Sequence, residues 1–107
     1  MTAADFQRLA LSMPEVEKSA HMSHPDFRVG GKIFATLGYP DEDHGMVVLP
    51  LEEQEGLMKS HPKIFAPAKG AWGKRGSTTV RLKEADKATL KAALEMAWRY
   101  RAPKDLL

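Results

Sequence analysis

The sequence predicts an α+β domain in which an antiparallel sheet packs with helices. Two amphipathic helical stretches lie near the ends of the chain, and between them short β-like runs alternate with turn residues. The links between neighbouring runs are too short for the crossovers that a parallel sheet needs. The predicted order of elements is therefore a helix, three or four strands, a helix, two strands and a closing helix.

Length and composition predict one domain that spans residues 1–107. With 43% hydrophobic residues and two tryptophans, the chain can bury an apolar core without disulfides. Cysteine is absent, which fits a reducing cytoplasm. No stretch approaches the roughly 20 apolar residues of a membrane span, and the N-terminal residues lack the pattern of a signal peptide. We expect a cytoplasmic monomer that does not enter a membrane.

The first predicted helix covers residues 3–13. Thr2 and Asp5 have the spacing of a capping box, in which side chains satisfy the free N–H groups of the first turn. The apolar residues that follow at the spacing of one helical face are Phe6, Leu9, Ala10 and Met13. Pro14 ends the helix because proline cannot donate a backbone hydrogen bond.

Short strands follow the first helix, and one pair of them forms the clearest hairpin. The predicted strands of this region are 16–20, 27–29, 32–37 and 46–49, with a polar loop at 41–45. The Gly30-Gly31 dipeptide supplies the positive φ angles of a two-residue turn. With that turn, Phe27 is predicted to lie opposite Phe34 as a cross-strand aromatic pair.

The second half of the chain is predicted to alternate between helix and strand. Its predicted elements are a helix at 51–60, a short edge strand at 64–66, a basic loop at 69–76, a strand at 78–82 and a helix at 84–101. Pro50 opens the first of these helices, and Pro62 and Pro103 mark the ends of the two helices. The closing helix has the most regular apolar stripe: Leu90, Ala93, Leu94, Ala97 and Trp98.

Charge is divided unequally along the chain. Residues 1–58 contain four basic and ten acidic side chains, a formal charge of −6, and residues 59–107 contain twelve basic and four acidic ones, a formal charge of +8. If folding collects the basic side chains on one surface, that surface attracts polyanions. Nucleic acid is the commonest such partner, because each neutralised phosphate releases a counterion. The alternative is a solvated surface whose lysines only keep the domain soluble.

The basic loop is the strongest candidate site. Lys69, Lys74 and Arg75 belong to it, and Arg81 follows on the next strand. The three glycines of the loop would let backbone N–H groups approach a phosphate, while the cations supply charge. Trp72 is predicted either to stack on a base or enter a groove, or to fold onto the core. The residues predicted to extend this basic surface are Lys32, Lys87 and Lys91.

Other chemistries find little support in the sequence. His21 and His24 lie beside Asp26, but positions three apart in one strand point to opposite faces, and a zinc site needs three or four ligands. The chain has no cysteine, no nucleophile elbow, and no dinucleotide or Walker fingerprint. We therefore expect no metal, no cofactor and no enzymatic activity, and we interpret the histidines as turn and strand-edge residues.

Several short motifs follow one another in a specific order. They are Leu11-Ser12-Met13-Pro14, His24-Pro25-Asp26-Phe27-Arg28-Val29, Gly31-Lys32-Ile33-Phe34-Ala35-Thr36-Leu37, Phe65-Ala66-Pro67-Ala68, Gly70-Ala71-Trp72-Gly73-Lys74-Arg75-Gly76, Thr78, Val80-Arg81-Leu82, Ala97-Trp98-Arg99 and Ala102-Pro103-Lys104. In their order and spacing, which cover nearly the whole chain, these motifs resemble the MmcQ/YjbR-like family of small bacterial proteins.

The resemblance implies an α-β(3)-α-β(2)-α domain similar in shape to CyaY and to secretion chaperones. It also implies DNA binding through β-hairpins that act as a double wing, which by position are the Gly30-Gly31 hairpin and residues 69–76. Many members carry a tryptophan directly before the last strand, whereas this chain has Ser77 there and Trp72 earlier. The chaperone-like topology and the short sheet edges favour a protein- or peptide-binding module as the alternative.

Overall fold

Six antiparallel strands form one sheet in the computed structural model, which describes residues 1–107. The strands are β1 (Val16–His21), β2 (His24–Val29), β3 (Lys32–Leu37), β4 (His44–Val48), β5 (Phe65–Pro67) and β6 (Ser77–Arg81). The helices are α1 (Ala3–Leu11), α2 (Leu51–Ser60), α3 (Ala71–Lys74) and α4 (Lys87–Arg101). The strand order across the sheet is β1-β2-β3-β4-β6-β5. The predicted α+β class and antiparallel sheet are confirmed.

Side-chain caps set the ends of the long helices. In α1, Thr2 Oγ1 accepts from the Asp5 N–H at 3.1 Å, and Asp5 Oδ2 accepts from the Thr2 N–H at 2.8 Å, which completes the predicted capping box. The helix ends at Leu11, two residues before the predicted end. In α4, Asp86 Oδ1 accepts from the Thr89 N–H at 2.7 Å. That cap starts the helix at Lys87 instead of residue 84.

The apolar stripe of α4 forms the centre of the core. All five of its predicted residues, Leu90, Ala93, Leu94, Ala97 and Trp98, are buried. Burial of one leucine side chain contributes about 1.5–3 kcal/mol. The helix packs beside α1 and against the middle strands β3 and β4. The indole N–H of Trp98 donates to the carbonyl oxygen of Pro14 at 3.0 Å, which ties the last helix to the chain just after the first.

Helices α1 and α4 cover one face of the sheet and leave the other face without a helix over β2. On β2, the Phe27 ring contacts the Phe6 ring of α1, with centroids 6.1 Å apart. Successive side chains of a strand point to opposite faces, so Asp26 and Arg28 lie on the other side. We call that side the open face. On β4, Gly45 belongs to the helix face, because a Cβ atom there would lie 2.5 Å from the Phe6 ring.

Two hairpins join the first three strands, and the sequence predicted only the second. The Gly30-Gly31 turn is confirmed, with φ angles of 59° and 80°. The first turn consists of Met22 and Ser23, with φ angles of 49° and 68°. These are the positive angles of a two-residue hairpin turn, but neither residue is a glycine or asparagine that would announce it. As a result β2 begins at His24, three residues before the predicted start.

The predicted pairing of Phe27 with Phe34 is wrong by one residue. Val29 pairs with Lys32 and Arg28 with Ile33, but Phe27 pairs with Ala35. Phe34 is therefore the extra residue of a β-bulge, which displaces the rest of β3 by one position. The bulge lets Phe34 and Ala35, which are consecutive, both be fully buried. Both phenylalanines still belong to the core, although they are not cross-strand partners.

The Met22-Ser23 turn generates a stability prediction. We expect Ser23→Gly to raise the free energy of unfolding by about 0.5–1 kcal/mol, because glycine adopts a φ of 68° without the steric cost that serine bears. Thermal unfolding measures the change as a rise in Tm. Gly31→Ala is the matched control: its φ is 80° and its surroundings are open, so it should lower Tm. An equal effect of the two variants would contradict the prediction.

Candidate nucleic-acid interface

The sheet has two ends that present different side chains. At the end that we call the glycine-turn end lie the Gly30-Gly31 turn and residues 68–76, which connect β5 to β6. At the far end lie the Met22-Ser23 turn, the β3–β4 loop and Arg81, the last residue of β6. The antiparallel pairings of β3, β4 and β6 fix this arrangement, because each strand reverses the direction of its neighbour.

The predicted basic loop contains a one-turn helix, α3, whose glycines have a packing role. A Cβ atom at Gly73 would lie 2.0 Å from the carbonyl oxygen of Ala68, and one at Gly76 would lie 2.0 Å from that of Leu49. Both residues are buried and allow two stretches of backbone to touch. This role replaces the expected one, in which all three glycines opened the loop to a phosphate. Gly70 alone faces open space.

A buried glutamine, which the sequence did not single out, holds this segment in place. Gln54 of α2 is 5% exposed, and its Nε2 donates to the carbonyl oxygens of Gly73 at 3.0 Å and Ser77 at 3.2 Å. A buried amide needs such partners to compensate for lost water. In the sequence, the signal for this contact was a polar residue at position 54 of an otherwise weakly amphipathic helix. The contact fixes α2 against α3 and the start of β6.

The outer surface of this connection carries an exposed aromatic side chain among free cations. Trp72 is 66% exposed, so it does not fold onto the core. Lys69, Lys74 and Arg75 are also exposed, and no carboxylate oxygen lies within 4.0 Å of their charged nitrogens. We call residues 69–75 the basic segment. It combines three unpaired positive charges and one aromatic surface on a backbone that is held by buried contacts.

The other predicted contacts do not all lie near the basic segment. Lys32, the first residue of β3, shares the glycine-turn end. Arg81 lies at the far end, about 13 Å along β6 from Ser77. Lys87 is in the first turn of α4, which starts at the far end, and Lys91 follows one turn later. Folding therefore divides the basic residues between the two ends of the sheet.

The two connections that correspond to the implied wings lie at the same end of the sheet. Three strand spacings separate them, which corresponds to about 14 Å. The Gly30-Gly31 turn is short and packs against the C-terminal segment: a Cβ atom at Gly30 would lie 2.5 Å from Pro103 Cγ. The basic segment contains a helical turn instead of a hairpin tip. Only the basic segment presents an aromatic side chain to solvent.

A carboxylate on the open face organises two cationic side chains. Asp26 is fully buried; its Oδ1 accepts from Arg28 Nε at 2.8 Å, and its Oδ2 accepts from Arg28 Nη2 at 3.2 Å and is 2.8 Å from His21 Nδ1. The sequence interpretation placed His21 and His24 on opposite faces. They are instead direct cross-strand partners on one face, because the Met22-Ser23 turn separates their strands. The sequence signal for this cluster was that His24, Asp26 and Arg28 occupy every second position of one strand and therefore share a face.

Hydrogen bonding to the ionised form lowers the pKa of Asp26 below its ordinary value of 3.8. The hydrogen bonds from Arg28 are the largest cause, and burial, which acts in the opposite direction, is outweighed. The same pairing raises the pKa of Arg28. Asp26 therefore stays ionised well into acid and keeps its two partners in place.

The architecture defines a class of α+β protein: one antiparallel sheet, two long helices, α1 and α4, on one face, and a basic segment between the last two strands. The family model described as YjbR matches residues 11–100, and the chain belongs to the YjbR family. The crystal structure of Deinococcus radiodurans protein DR2400, with a domain called DUF419, is similar in fold, with a TM-score of 0.80 and 19% identity over 97% of this chain and 80% of that one. No curated protein matches the chain. None of the helices is long and apolar enough to cross a bilayer.

The packing role of the glycines generates a second prediction. We expect Gly73→Ala to lower the free energy of unfolding by about 2–4 kcal/mol, because its Cβ atom would collide with backbone that cannot move aside. Gly56→Ala is the control: its Cβ would meet nothing within 4 Å in the middle of α2, and it should stabilise by about 1 kcal/mol. Urea denaturation measures both changes. A neutral Gly73→Ala variant would contradict the packing role.

Asp26 generates a prediction about pH. Its pKa is lower in the folded than in the unfolded state, so its stabilisation is fully present above pH 3.8 and is lost as the pH falls through the folded value. We expect Asp26→Asn to lower stability at pH 7 by about 1.5–3 kcal/mol and to flatten the loss of stability in acid. Urea denaturation between pH 7 and pH 2.5 measures both effects. Asp105→Asn, at an exposed residue outside every ion pair, should change neither.

Proposed function

We propose that this chain is a non-enzymatic, nucleic-acid-binding protein that contacts DNA chiefly through its phosphates. The observation that carries the proposal is the basic segment, where Trp72 is 66% exposed between cations that have no carboxylate partner. Unpaired cations neutralise DNA phosphates and release the counterions that are condensed on them. An exposed indole stacks on bases of any sequence. Folding alone does not require a large aromatic side chain in water at this position.

The position of the basic segment restricts the contact to a narrow strip. On one side α2 carries three exposed glutamates, Glu52, Glu53 and Glu55, and Gln54 between them holds Gly73. Like charge on α2 repels phosphates, so a strand of DNA follows the segment on its other sides. Few phosphates are neutralised in such a site, which corresponds to weak, sequence-independent binding. Of the remaining predicted contacts, Lys32 on β3 is the one that lies at the same end of the sheet.

We also infer a cytoplasmic location for the protein. Phosphate contacts made by three or four cations are sensitive to salt, and DNA in a bacterial cell lies in the cytoplasm. The absence of cysteine fits that compartment. A monomer suffices for the contact, because all of the side chains involved lie at one end of the sheet of one chain. Cytoplasmic location and the monomeric state are parts of this proposal.

A salt titration tests the proposal. We expect the Lys74→Ala/Arg75→Ala double variant to bind duplex DNA more weakly, with a slope of log K against log salt that is shallower by about two. The matched control is Lys87→Ala/Lys91→Ala, which removes two unpaired cations from α4 and should leave the slope unchanged. Fluorescence anisotropy of a labelled duplex measures both. An unchanged slope in the first variant would exclude the basic segment.

The exposure of Trp72 offers an independent test of the same surface. In a Trp98→Phe variant, the only remaining indole is Trp72, so its fluorescence reports on the basic segment alone. We expect single-stranded DNA to quench this fluorescence and the Lys74→Ala/Arg75→Ala change to weaken the quenching. Trp72→Ala in the native background should weaken binding by about 1–3 kcal/mol. Fluorescence that does not respond to DNA would remove Trp72 from the contact.

A second candidate function is peptide binding by strand addition. The observation that favours it is β1, an edge strand whose outer side has no partner and whose residues Glu17 to His21 are all exposed. An extended peptide can pair with such an edge through backbone hydrogen bonds. Lys18 in the middle of the strand opposes this, since a charged side chain protects an edge from pairing. A partner that survives nuclease treatment and is lost in Ala20→Pro would favour this function.

A further inference from the structure

The open face carries a group of polar side chains that the basic segment does not use. The pair relations of neighbouring strands place them in one line across the far end of the sheet. His21 pairs with His24, and His44 pairs with Arg81. Gly38 lies between His24 and His44. On one side, the pairing of Asp26 with Thr36, continued by two residues, places Gly38 opposite His24. On the other side, the Gly38 N–H donates to the His44 carbonyl oxygen at 3.0 Å.

We call this line the histidine row; its members are His21, His24, Gly38, His44 and Arg81. Paired residues of neighbouring strands point to the same face of a sheet. His44 precedes Gly45, which belongs to the helix face, so the row belongs to the open face. Neighbouring strands are about 4.8 Å apart, and the whole row spans five strands. Three imidazoles and one guanidinium thus share one edge of an uncovered surface.

Gly38 makes a gap in this row, and the ring of His24 extends into it. A Cβ atom at Gly38 would lie 3.0 Å from His24 Nδ1. The imidazole of His24 therefore lies above the bare backbone of β3, on the side of His44. No hydrogen bond engages either ring nitrogen of His24 within the protein. Its side chain is free to bind a group that comes from solvent.

Carboxylates already hold some of the neighbouring donors. His44 Nδ1 lies 2.7 Å from Asp41 Oδ1, an oxygen that also accepts from the Asp43 N–H at 2.9 Å. Asp26 holds Arg28 and His21 with both of its oxygens, as described above. When Nδ1 of an imidazole donates to a carboxylate, Nε2 points away from it. The ring nitrogens of His24, Nε2 of His44 and the Arg81 guanidinium have no partner within the protein, and nitrogens of this kind favour an acceptor-rich ligand.

A buried hydroxyl beside the row points to a ligand independently. Thr36 lies two residues before Gly38 and on the same face of the sheet. It is 9% exposed, and its Oγ1 has no hydrogen-bond partner in the protein. An unsatisfied buried hydroxyl costs about 1–3 kcal/mol. Such a cost is unusual in the middle of a well-paired sheet. A partner from outside the chain, next to His24, would offset it.

We propose that the histidine row binds a tetrahedral oxyanion of the phosphate class between His24 and His44, with Arg81 as its charged partner. The site is independent of the proposed nucleic-acid contact, because it lies at the far end and on the open face. A metal ion does not fit as an alternative, since no three histidine or carboxylate side chains converge well enough to hold one. The charged groups around the row are Glu17 and Arg28 on the first two strands, Asp41 in the β3–β4 loop, and the Asp43–Lys83 pair at 3.6 Å.

Sulfate is the sharpest probe, because it is a tetrahedral oxyanion whose charge stays at −2 at every pH used. Backbone amide NMR of the full chain, titrated with sulfate against chloride at equal ionic strength, measures affinity at each residue. We expect sulfate at pH 5.5 to shift the amides of His24, Thr36, Gly38 and Arg81. Shifts no larger than those with chloride would overturn the proposal.

Two variants and two further ligands complete the experiment. His24→Gln and Arg81→Gln should each weaken sulfate binding at pH 5.5 by tenfold or more, and Arg81 is exposed, so its change keeps the fold intact. The Lys74→Ala/Arg75→Ala variant should bind sulfate normally, which separates this site from the DNA contact. Inorganic phosphate and a 5′-phosphorylated dinucleotide, each compared at pH 5.5, distinguish a free anion from a nucleotide terminus. Equal sulfate binding by both Gln variants and the native chain would contradict the site.

Discussion

The structure depends on the fact that only one face of its sheet is covered. The apolar stripe of α4 and the buried side of α1 pack on that face, and Phe27, Val47 and Val80 of three different strands meet them there. A sheet with one covered face sorts its side chains by alternation: every second residue joins the core, and the others contact water or one another. The ion pair of Asp26, the free histidines and the buried hydroxyl of Thr36 all lie on the uncovered face for this reason.

Regular periodicity made most of the fold predictable from the sequence. The stripe of α4 and the capping box of α1 depend only on neighbours within one helix, and both were predicted residue by residue. The Gly30-Gly31 turn was predictable because its residue type announces its backbone angles. The Met22-Ser23 turn has the same geometry with residues that give no such signal, so the turn was missed and β2 was predicted to begin three residues late. The bulge at Phe34 was equally hidden, since it arises from how β3 fits the core.

The sequence predicted which residues form the candidate site, but it did not predict how the fold arranges them. The sequence places Trp72 and three cations close together, and the fold keeps them exposed. The roles of Gly73 and Gly76 depend on Ala68 and Leu49, which contact them through tertiary structure, so no local rule reveals them. The same holds for Gln54, whose partners lie 19 and 23 residues away. Position along the chain also suggested that Arg81 and Lys87 join Lys74, whereas one strand length separates them.

The bulge in β3 decides which residues that strand offers to each side. Before the bulge, Ile33 pairs with Arg28 on the open face. In a regular strand, every later odd-numbered residue of β3 would lie on that same face. The bulge inverts the alternation, so that Ala35 and Leu37 enter the core while Thr36 and Gly38 turn outward. If the same residues formed a regular strand without a bulge, the inner and outer sets would be exchanged from Ala35 onward, which would expel a leucine from the interior and close the gap beside His24. The extra residue thus lets one short strand pack apolar side chains in the core and leave a gap for a ligand on its outer surface.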